Sequence, residues 1–175
     1  MSADVHHDLD QPSPWVCRFA PLIVAGGRVL DLACGNGRHT RYLSRTGFAV
    51  EAVDRDAEMV ASLAGIPGVT ARVADLEGAP WPYGSERFAG IVVSNYLHRP
   101  LLPLLLGALG AQGILIYETF AAGNERYGRP RNPDFLLKPG ELLELVRGRL
   151  RVVAYEDVYV DAPKPALVQR ICAAA

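Results

Sequence analysis

The stretch Val29-Leu30-Asp31-Leu32-Ala33-Cys34-Gly35-Asn36-Gly37-Arg38 decides the fold class. An apolar run ends abruptly on a Gly-x-Gly, and helical spacing takes over across residues 36–45. A buried strand feeding straight into a tight turn and a helix is the opening unit of a βαβ structure. Gly35 and Gly37 permit the turn and let a ligand approach the backbone with no Cβ in the way.

Strand and helix signals alternate outward from this unit. Upstream, residues 15–24 form an amphipathic stretch, a short helix broken at Pro21. Downstream, apolar runs at 48–53, 69–74, 88–94 and 113–118 read as strands. Helical spacing occupies 56–64, 100–110 and 141–147. Residues 150–160 and 166–172 close the chain as two strands joined by a short link around Pro163 and Pro165. Alternating strands and helices imply right-handed crossovers and a parallel sheet covered on both faces. The final link is too short for a parallel crossover and allows only an antiparallel pair. The expected architecture is a single α/β domain with a seven-stranded, mostly parallel sheet, one antiparallel strand and helices on both faces.

Composition agrees with one folded domain. The chain has 175 residues, 50% hydrophobic and 21% charged, with net charge −1 at pH 7. That excludes wholesale disorder and a charge-driven nucleic-acid tail. Sixteen of the 18 basic residues are arginine, a bias that a GC-rich genome explains as readily as anion recognition does. Cys17, Cys34 and Cys172 are scattered with no Cys-x-x-Cys, which argues against a disulfide scaffold and a zinc site. A reducing, cytoplasmic setting is expected. Residues 1–11 carry three Asp and two His, unlike a signal peptide. The apolar stretch 101–109 is too short and too broken to span a bilayer. Residues 1–14 read as a flexible tail and residues 15–175 as the domain.

Ligands of open parallel sheets bind at the carboxyl ends of the strands. Asp54 ends the second strand, where it can accept hydrogen bonds from two ribose hydroxyls. Asp75 ends the third and can accept from an exocyclic amine, with Leu76 beside it for an adenine ring. A dinucleotide would want a third glycine where Thr40 stands, and Asp31 beside the loop would repel its pyrophosphate. A carboxylate beside a sulfonium or ammonium is attractive instead. The pattern therefore favours S-adenosylmethionine over NAD or FAD. Each acid also has a structural alternative: Asp31 capping the loop's own N–H groups, Asp54 and Asp75 as turn residues.

Leu30-Asp31-Leu32-Ala33-Cys34-Gly35-Asn36-Gly37-Arg38-His39-Thr40, followed by Asp54 and Asp75, resembles the class I S-adenosylmethionine-dependent methyltransferases across residues 28–172. The resemblance implies a Rossmann-like methyltransferase fold and methyl transfer that leaves S-adenosylhomocysteine, with no metal. It implies that Asp31 and the Gly35–Gly37 loop, with Cys34, hold the methionine part. Asp54 with Arg55 would take the ribose, Asp75 and Leu76 the adenine, and Ser94 would flank the sulfonium. Gly35-Asn36-Gly37-Arg38, Pro139-Gly140-Glu141-Leu142 and Tyr155-Glu156-Asp157 are similar to the tellurite-resistance methyltransferase subgroup. One departure stands out: the fourth strand opens Phe88-Ala89-Gly90 where many relatives have Phe-Asp. It reads as a packing or capping variation.

Methyl transfer is an SN2 displacement on an activated carbon, so alignment can supply most of the catalysis. A base is needed only where the acceptor must lose a proton. His98 is the candidate base, with Tyr96 beside it; the structural alternatives are a helix-entry histidine and a packed ring. Residues 119–138 form a long loop at the ligand end, a length that is often functional. Its Arg126, Tyr127, Arg129 and Arg131 are candidates for clamping an anionic or oxygen-rich acceptor. Arg18 is a candidate partner for the methionine carboxylate, on a segment that can fold over the site. No inserted domain is visible, which favours a small-molecule acceptor over membrane or nucleic acid; the oligomeric state is open. Three alternatives stay in view: an RNA or protein methyltransferase, a non-catalytic S-adenosylmethionine-binding module and a nucleotide-dependent oxidoreductase.

Overall fold

A computed structural model describes residues 11–175. Residues 1–10, most of the segment read as a tail, lie outside the described residues. Helix α1 (Pro14–Phe19) begins at once, capped by the Ser13 hydroxyl, which accepts the Trp15 N–H. Proline at the first helical position costs nothing, since its missing N–H would be unpaired there. Ser13 is buried, so packed structure starts inside the expected tail. A single 3₁₀ turn at Ala20–Leu22 carries Pro21 and ends the segment.

The order along the chain is β1 (Arg28–Leu32), α2 (Arg38–Arg45), β2 (Ala49–Asp54), α3 (Ala57–Ala61), β3 (Val69–Val73) and β4 (Phe88–Ser94). Then come α4 (Leu102–Ala108), β5 (Leu109–Phe120), α5 (Glu141–Val146), β6 (Arg151–Val160) and β7 (Ala166–Ala174). The seven strands form one sheet in the order β3-β2-β1-β4-β5-β7-β6. Pairing is parallel from β3 to β5. Strand β7 runs antiparallel between β5 and β6. The expected Rossmann-like architecture, with its one antiparallel strand, is the observed one. Strand order reverses between β1 and β4, which places a crevice above their carboxyl ends.

Side chains alternate across each strand and divide the core in two. Leu30, Leu32, Ile91, Val93, Leu115 and Tyr117 face Leu102 and Leu105 of α4 and Leu142 and Val146 of α5. Val29, Val50, Val92, Ile114 and Ile116 face Trp15, Val16 and Phe19 of α1 and Leu43 of α2. Ala89, the departure in β4, packs against Gly27: a Cβ on Gly27 would come within 2.6 Å of the Ala89 Cβ. The variation is thus a packing one, at the amino end of the strand and away from the carboxyl-end crevice.

Element lengths differ from the sequence expectation in three places. Asp56 is the cap of α3, accepting from the N–H groups of Glu58 and Met59, and the helix stops at Ala61. Helix α4 follows a 3₁₀ turn at Arg99–Leu101 and ends at Ala108. Strand β5 starts at Leu109, where its chain turns extended and pairs with Phe88 before a register shift. Buried Leu109 joins the core beside Phe88, and that burial outweighs helix continuation.

One charged residue is buried far from the crevice. Glu51 is 1% exposed and held by Arg28 at 2.9 Å and Arg72 at 3.1 Å. Removing one partner of a buried pair leaves an uncompensated charge. Glu51→Ala leaves two half-exposed arginines without their anion and opens a cavity under β2. Chemical denaturation is expected to show a loss of about 3 kcal/mol or more.

Candidate active site

The glycine loop is built from alternating left-handed residues. Ala33, Gly35 and Gly37 have φ of +54°, +53° and +76°. A Cβ on Gly37 would lie 2.3 Å from Leu63, so helix α2 starts in close contact with the segment after α3. Gly35 has open space where a Cβ would stand.

Asp54 ties this loop to the neighbouring strands. Its Oδ2 accepts the Gly35 N–H at 2.8 Å, and its Oδ1 accepts the Asp56 N–H at 3.0 Å. Its backbone carbonyl accepts the Ala74 N–H at 2.9 Å. A carboxylate has about four acceptor sites, so Asp54 keeps capacity for further donors. Asp75 is exposed and accepts the Glu77 N–H at 3.0 Å. The N–H groups of Glu77 and Gly78 hold its carboxyl below the usual range. Ala33, Asp54, Arg55, Ala74, Asp75, Leu76, Glu77 and Tyr96 line a cavity of about 190 Å³. The Tyr96 hydroxyl in its wall is buried, with the Glu77 carboxylate beside it and no well-aligned hydrogen-bond partner among the described residues. Burial, then the carboxylate of Glu77, pushes that phenol up.

Asp31 takes a different place. It is 1% exposed and lines none of the cavities described. Its Oδ2 accepts the Thr40 hydroxyl at 2.5 Å, beneath the start of α2. This is a structural role, played toward Thr40 of α2 and not toward the loop's own N–H groups, and it explains why Thr40 stands where a third glycine would. Cys34 is buried against Ala52 and Leu63, and burial drives its thiol far above neutrality. It packs the loop from below.

Beyond Ser94, three cavities converge on Asn95 and Phe120. One of about 300 Å³ joins Arg38, Glu118, Thr119 and Phe120 to Gln11–Pro14, Val160 and Lys164. One of about 230 Å³ continues the wall of Tyr96 through Leu97, Pro130 and Phe135. A more open one of about 510 Å³ is bounded by Arg129, Pro130, Arg131, Asn132, Phe135 and Lys164. Asn95 is left-handed, with φ +55°, and its N–H donates to the Glu118 carbonyl at 3.0 Å.

Comparison with known proteins is consistent with this geometry. Residues 29–107 match the family described as methyltransferase domain. The structure of TehB from Haemophilus influenzae superposes with a TM-score of 0.78 at 19% identity, covering 93% of this chain and 62% of that one. A S-adenosylmethionine-dependent methyltransferase from Aquifex aeolicus gives 0.67 at 20% identity, covering 98% and 97%. One from Mesorhizobium loti gives 0.71 at 20%, covering 91% and 96%. No curated protein matches the sequence. Residues 29–107 thus carry the methyltransferase-domain match, and the chain has the fold of the S-adenosylmethionine-dependent methyltransferases. It spans less than two thirds of the TehB chain.

Within this superfamily fold the structure gathers some of the expected residues and disperses others. Asp54, Arg55, Asp75 and Leu76 share one rim with Tyr96, Gly35 is tied to that rim by its bond to Asp54, and Gly37 lies against Leu63. Ser94 sits between two charged groups: Arg38 Nη2 donates to its Oγ at 3.2 Å, and Oγ lies 3.2 Å from Glu118 Oε1. Arg18 is exposed on α1, with its guanidinium 5.0 Å from the Phe19 ring centre. Arg38 lines the cavity of about 300 Å³ beside Glu118. His98 lines none of these cavities; its carbonyl accepts the Leu101 N–H at 3.0 Å, the helix-entry role. Arg126 is exposed outside the cavities, and Tyr127 packs on Tyr159 at 5.1 Å. Arg129 and Arg131 do line the open cavity.

Arg38, Asn95, Glu118, Phe120 and Lys164 were missed as site residues. Arg38 follows the glycine loop directly, and Glu118 ends the fifth strand just as Asp54 ends the second. Those positions were the available signals. Lys164 carried none, because only the β6–β7 hairpin brings it over.

The segment entering α1 is strapped to the same helix. The Ser13 N–H donates to His39 Nε2 at 3.1 Å, and Arg38 Nη1 donates to the Gln11 carbonyl at 3.3 Å. Burial, then the charge of Arg38, pushes His39 down to about 3, so it is the neutral acceptor this bond requires.

Burial moves Asp31 the other way, up to about 6, against the hydroxyl and amide of Thr40. A raised carboxyl binds its proton more tightly folded than unfolded. Its contribution is therefore greatest below about pH 4 and is lost as pH rises through about 6. Asp31→Asn keeps an acceptor for Thr40 and removes the titration. Denaturation at pH 4 and pH 7 should show the variant gaining on wild type by roughly 2 kcal/mol over that window.

Proposed function

We propose that the protein transfers a methyl group from S-adenosylmethionine to a small-molecule acceptor by direct displacement. The observation that carries this reading is the continuity of the two halves of the crevice. Tyr96 lines both the cavity of Asp54, Asp75 and Leu76 and the cavity of Asn95, Thr119 and Phe120.

The residues present fit the cofactor. Asp54 has free acceptor sites for ribose hydroxyls, Leu76 offers an apolar wall for adenine, and the open face of Gly35 admits a close-lying chain. The buried Tyr96 hydroxyl, beside the Glu77 carboxylate, adds a polar group to the same wall. When bound, the cofactor supplies a methyl group on a good leaving group. The work left to the chain is alignment and exclusion of water.

Arg38 and Glu118 bracket Ser94 as a cation and an anion on one floor. Arg38 is the guanidinium assigned to the methionine carboxylate, and Glu118 the carboxylate facing the acceptor side. Arg38 also accepts its place from Gln11, so the segment entering α1 covers the crevice while it orients that side chain. The open acceptor side favours an enzyme over a binding module with a closed one.

Tellurite-resistance kinship remains a reading of the motifs and of the TehB fold match. Acceptor chemistry lives in the loops, where fold says little. No helix among the described residues is long and apolar enough to cross a membrane. The cytoplasm is the compartment proposed from three free cysteines.

Isothermal titration with S-adenosylmethionine, S-adenosylhomocysteine and NADH tests the cofactor reading. The first two are expected to bind and NADH not. Asp54→Ala, which also frees the Gly35 N–H, should weaken binding by about tenfold or more. Arg38→Ala should weaken it by about tenfold, while Arg18→Ala stays within about twofold. Folded protein that binds neither methionine nucleoside would sink the reading.

A further inference from the structure

The most open part of the crevice has a composition unlike the chain around it. The cavity bounded by Asn95, Phe120, Arg129, Pro130, Arg131, Asn132, Phe135 and Lys164 holds three cations and no carboxylate, in a chain whose net charge is −1. Among the described residues, none of the three cations forms a salt bridge. They come from two separate places: Arg129 and Arg131 from the loop after β5, Lys164 from the β6–β7 hairpin.

That loop is held in place. The Leu137 N–H donates to the Phe120 carbonyl and the Ala122 N–H to the Leu137 carbonyl, both at 2.9 Å, closing its base. Arg99 donates to the carbonyls of Asp134 and Leu136 at 2.8 and 2.9 Å and pairs with Glu141 at 2.7 Å. Arg129 and Arg131 therefore project from a pinned frame. Flat apolar surface lies among them. Phe135 is 48% exposed, yet it lines both this cavity and the one shared with Tyr96.

We propose that this cavity binds an acceptor with a planar apolar body and a carboxylate. The carboxylate is clamped by Arg129, Arg131 and Lys164, and the body lies against Phe120 and Phe135. Guanidinium groups suit a carboxylate through paired, charge-assisted hydrogen bonds. Ring faces suit a planar partner by offset or edge packing. Asn95, Tyr96 and Thr119 then face the other end of the acceptor, toward the cofactor rim. This assignment rests on the methyl-transfer reading for the direction the acceptor faces. The three cations meet in this cavity, and in the neighbouring cavity that Lys164 also lines, the Glu118 carboxylate stands among the cations, which favours a small anion over a nucleic-acid strand tracked along a continuous basic stripe.

The test compares 4-hydroxybenzoate with 4-hydroxybenzamide, which share a shape and differ in charge. Both are titrated into the protein with and without saturating S-adenosylhomocysteine. The benzoate is expected to bind at least about tenfold tighter than the amide. The triple variant Arg129→Ala, Arg131→Ala, Lys164→Ala should lose that preference while its affinity for S-adenosylhomocysteine stays within about twofold. Phe135→Ala should weaken both probes alike. Equal binding of the two probes, no binding of either, or a preference that survives the triple variant would overturn the assignment. So would tight binding of a single-stranded RNA oligonucleotide, abolished by the triple variant, in protein indifferent to the benzoate. The S-adenosylhomocysteine titration reports separately on the cofactor reading, and the charge preference without it reports on the clamp alone.

Discussion

The hydrogen bond from the Gly35 N–H to the Asp54 carboxylate is the constraint around which the rest of the site is arranged. It joins the turn after β1 to the end of β2, while the Asp54 carbonyl holds the start of the segment after β3. Three strand ends thereby share one residue. The loop itself carries left-handed backbone at Ala33, Gly35 and Gly37. Such conformations persist where surrounding structure over-determines them. Here the anchors are Asp54 from the side and buried Asp31 with Thr40 from below.

Asp31 and His39 show how the same burial serves two opposite ends. Burial favours the neutral form of each, raising the acid and lowering the base. A neutral His39 can accept the Ser13 N–H, and that bond fixes the segment entering α1 over the carboxyl ends of the strands. The adjacent Arg38 reaches past it to Gln11 and Ser94. Two consecutive residues of α2 thus connect the glycine loop, the chain's entry segment and the end of β4. The proposed cofactor and acceptor sides meet at that junction.

The acceptor side has a different construction. Its frame is a long loop whose base is closed on β5 and whose far part is stapled by Arg99. Such a frame can vary at its tip without disturbing the sheet, which is why fold similarity at 19–20% identity to TehB and its neighbours leaves the acceptor undefined.

The sequence by itself determined the sheet, the crevice and the rim of acids that we propose holds the cofactor. Those features follow from local signals: apolar runs of strand length, a Gly-x-Gly at a strand end, and acids placed after successive strands. Asp54, Asp75 and Leu76 could be read because parallel strands must deliver their carboxyl ends to one edge. Tertiary structure decided what each side chain faces. Asp31 and Asp54 are both acids at strand ends, yet one is buried beneath the loop and the other lies on the rim, a difference set by packing against α2. The chain suggested Arg18 and not Arg38, yet in the fold Arg18 stays exposed on α1 while Arg38, at the start of α2, lines the crevice. Lys164 meets Arg129 and Arg131 solely because β7 inserts between β5 and β6 and swings the hairpin over. Contacts between residues this distant in sequence carry no periodicity, so only the folded chain shows them.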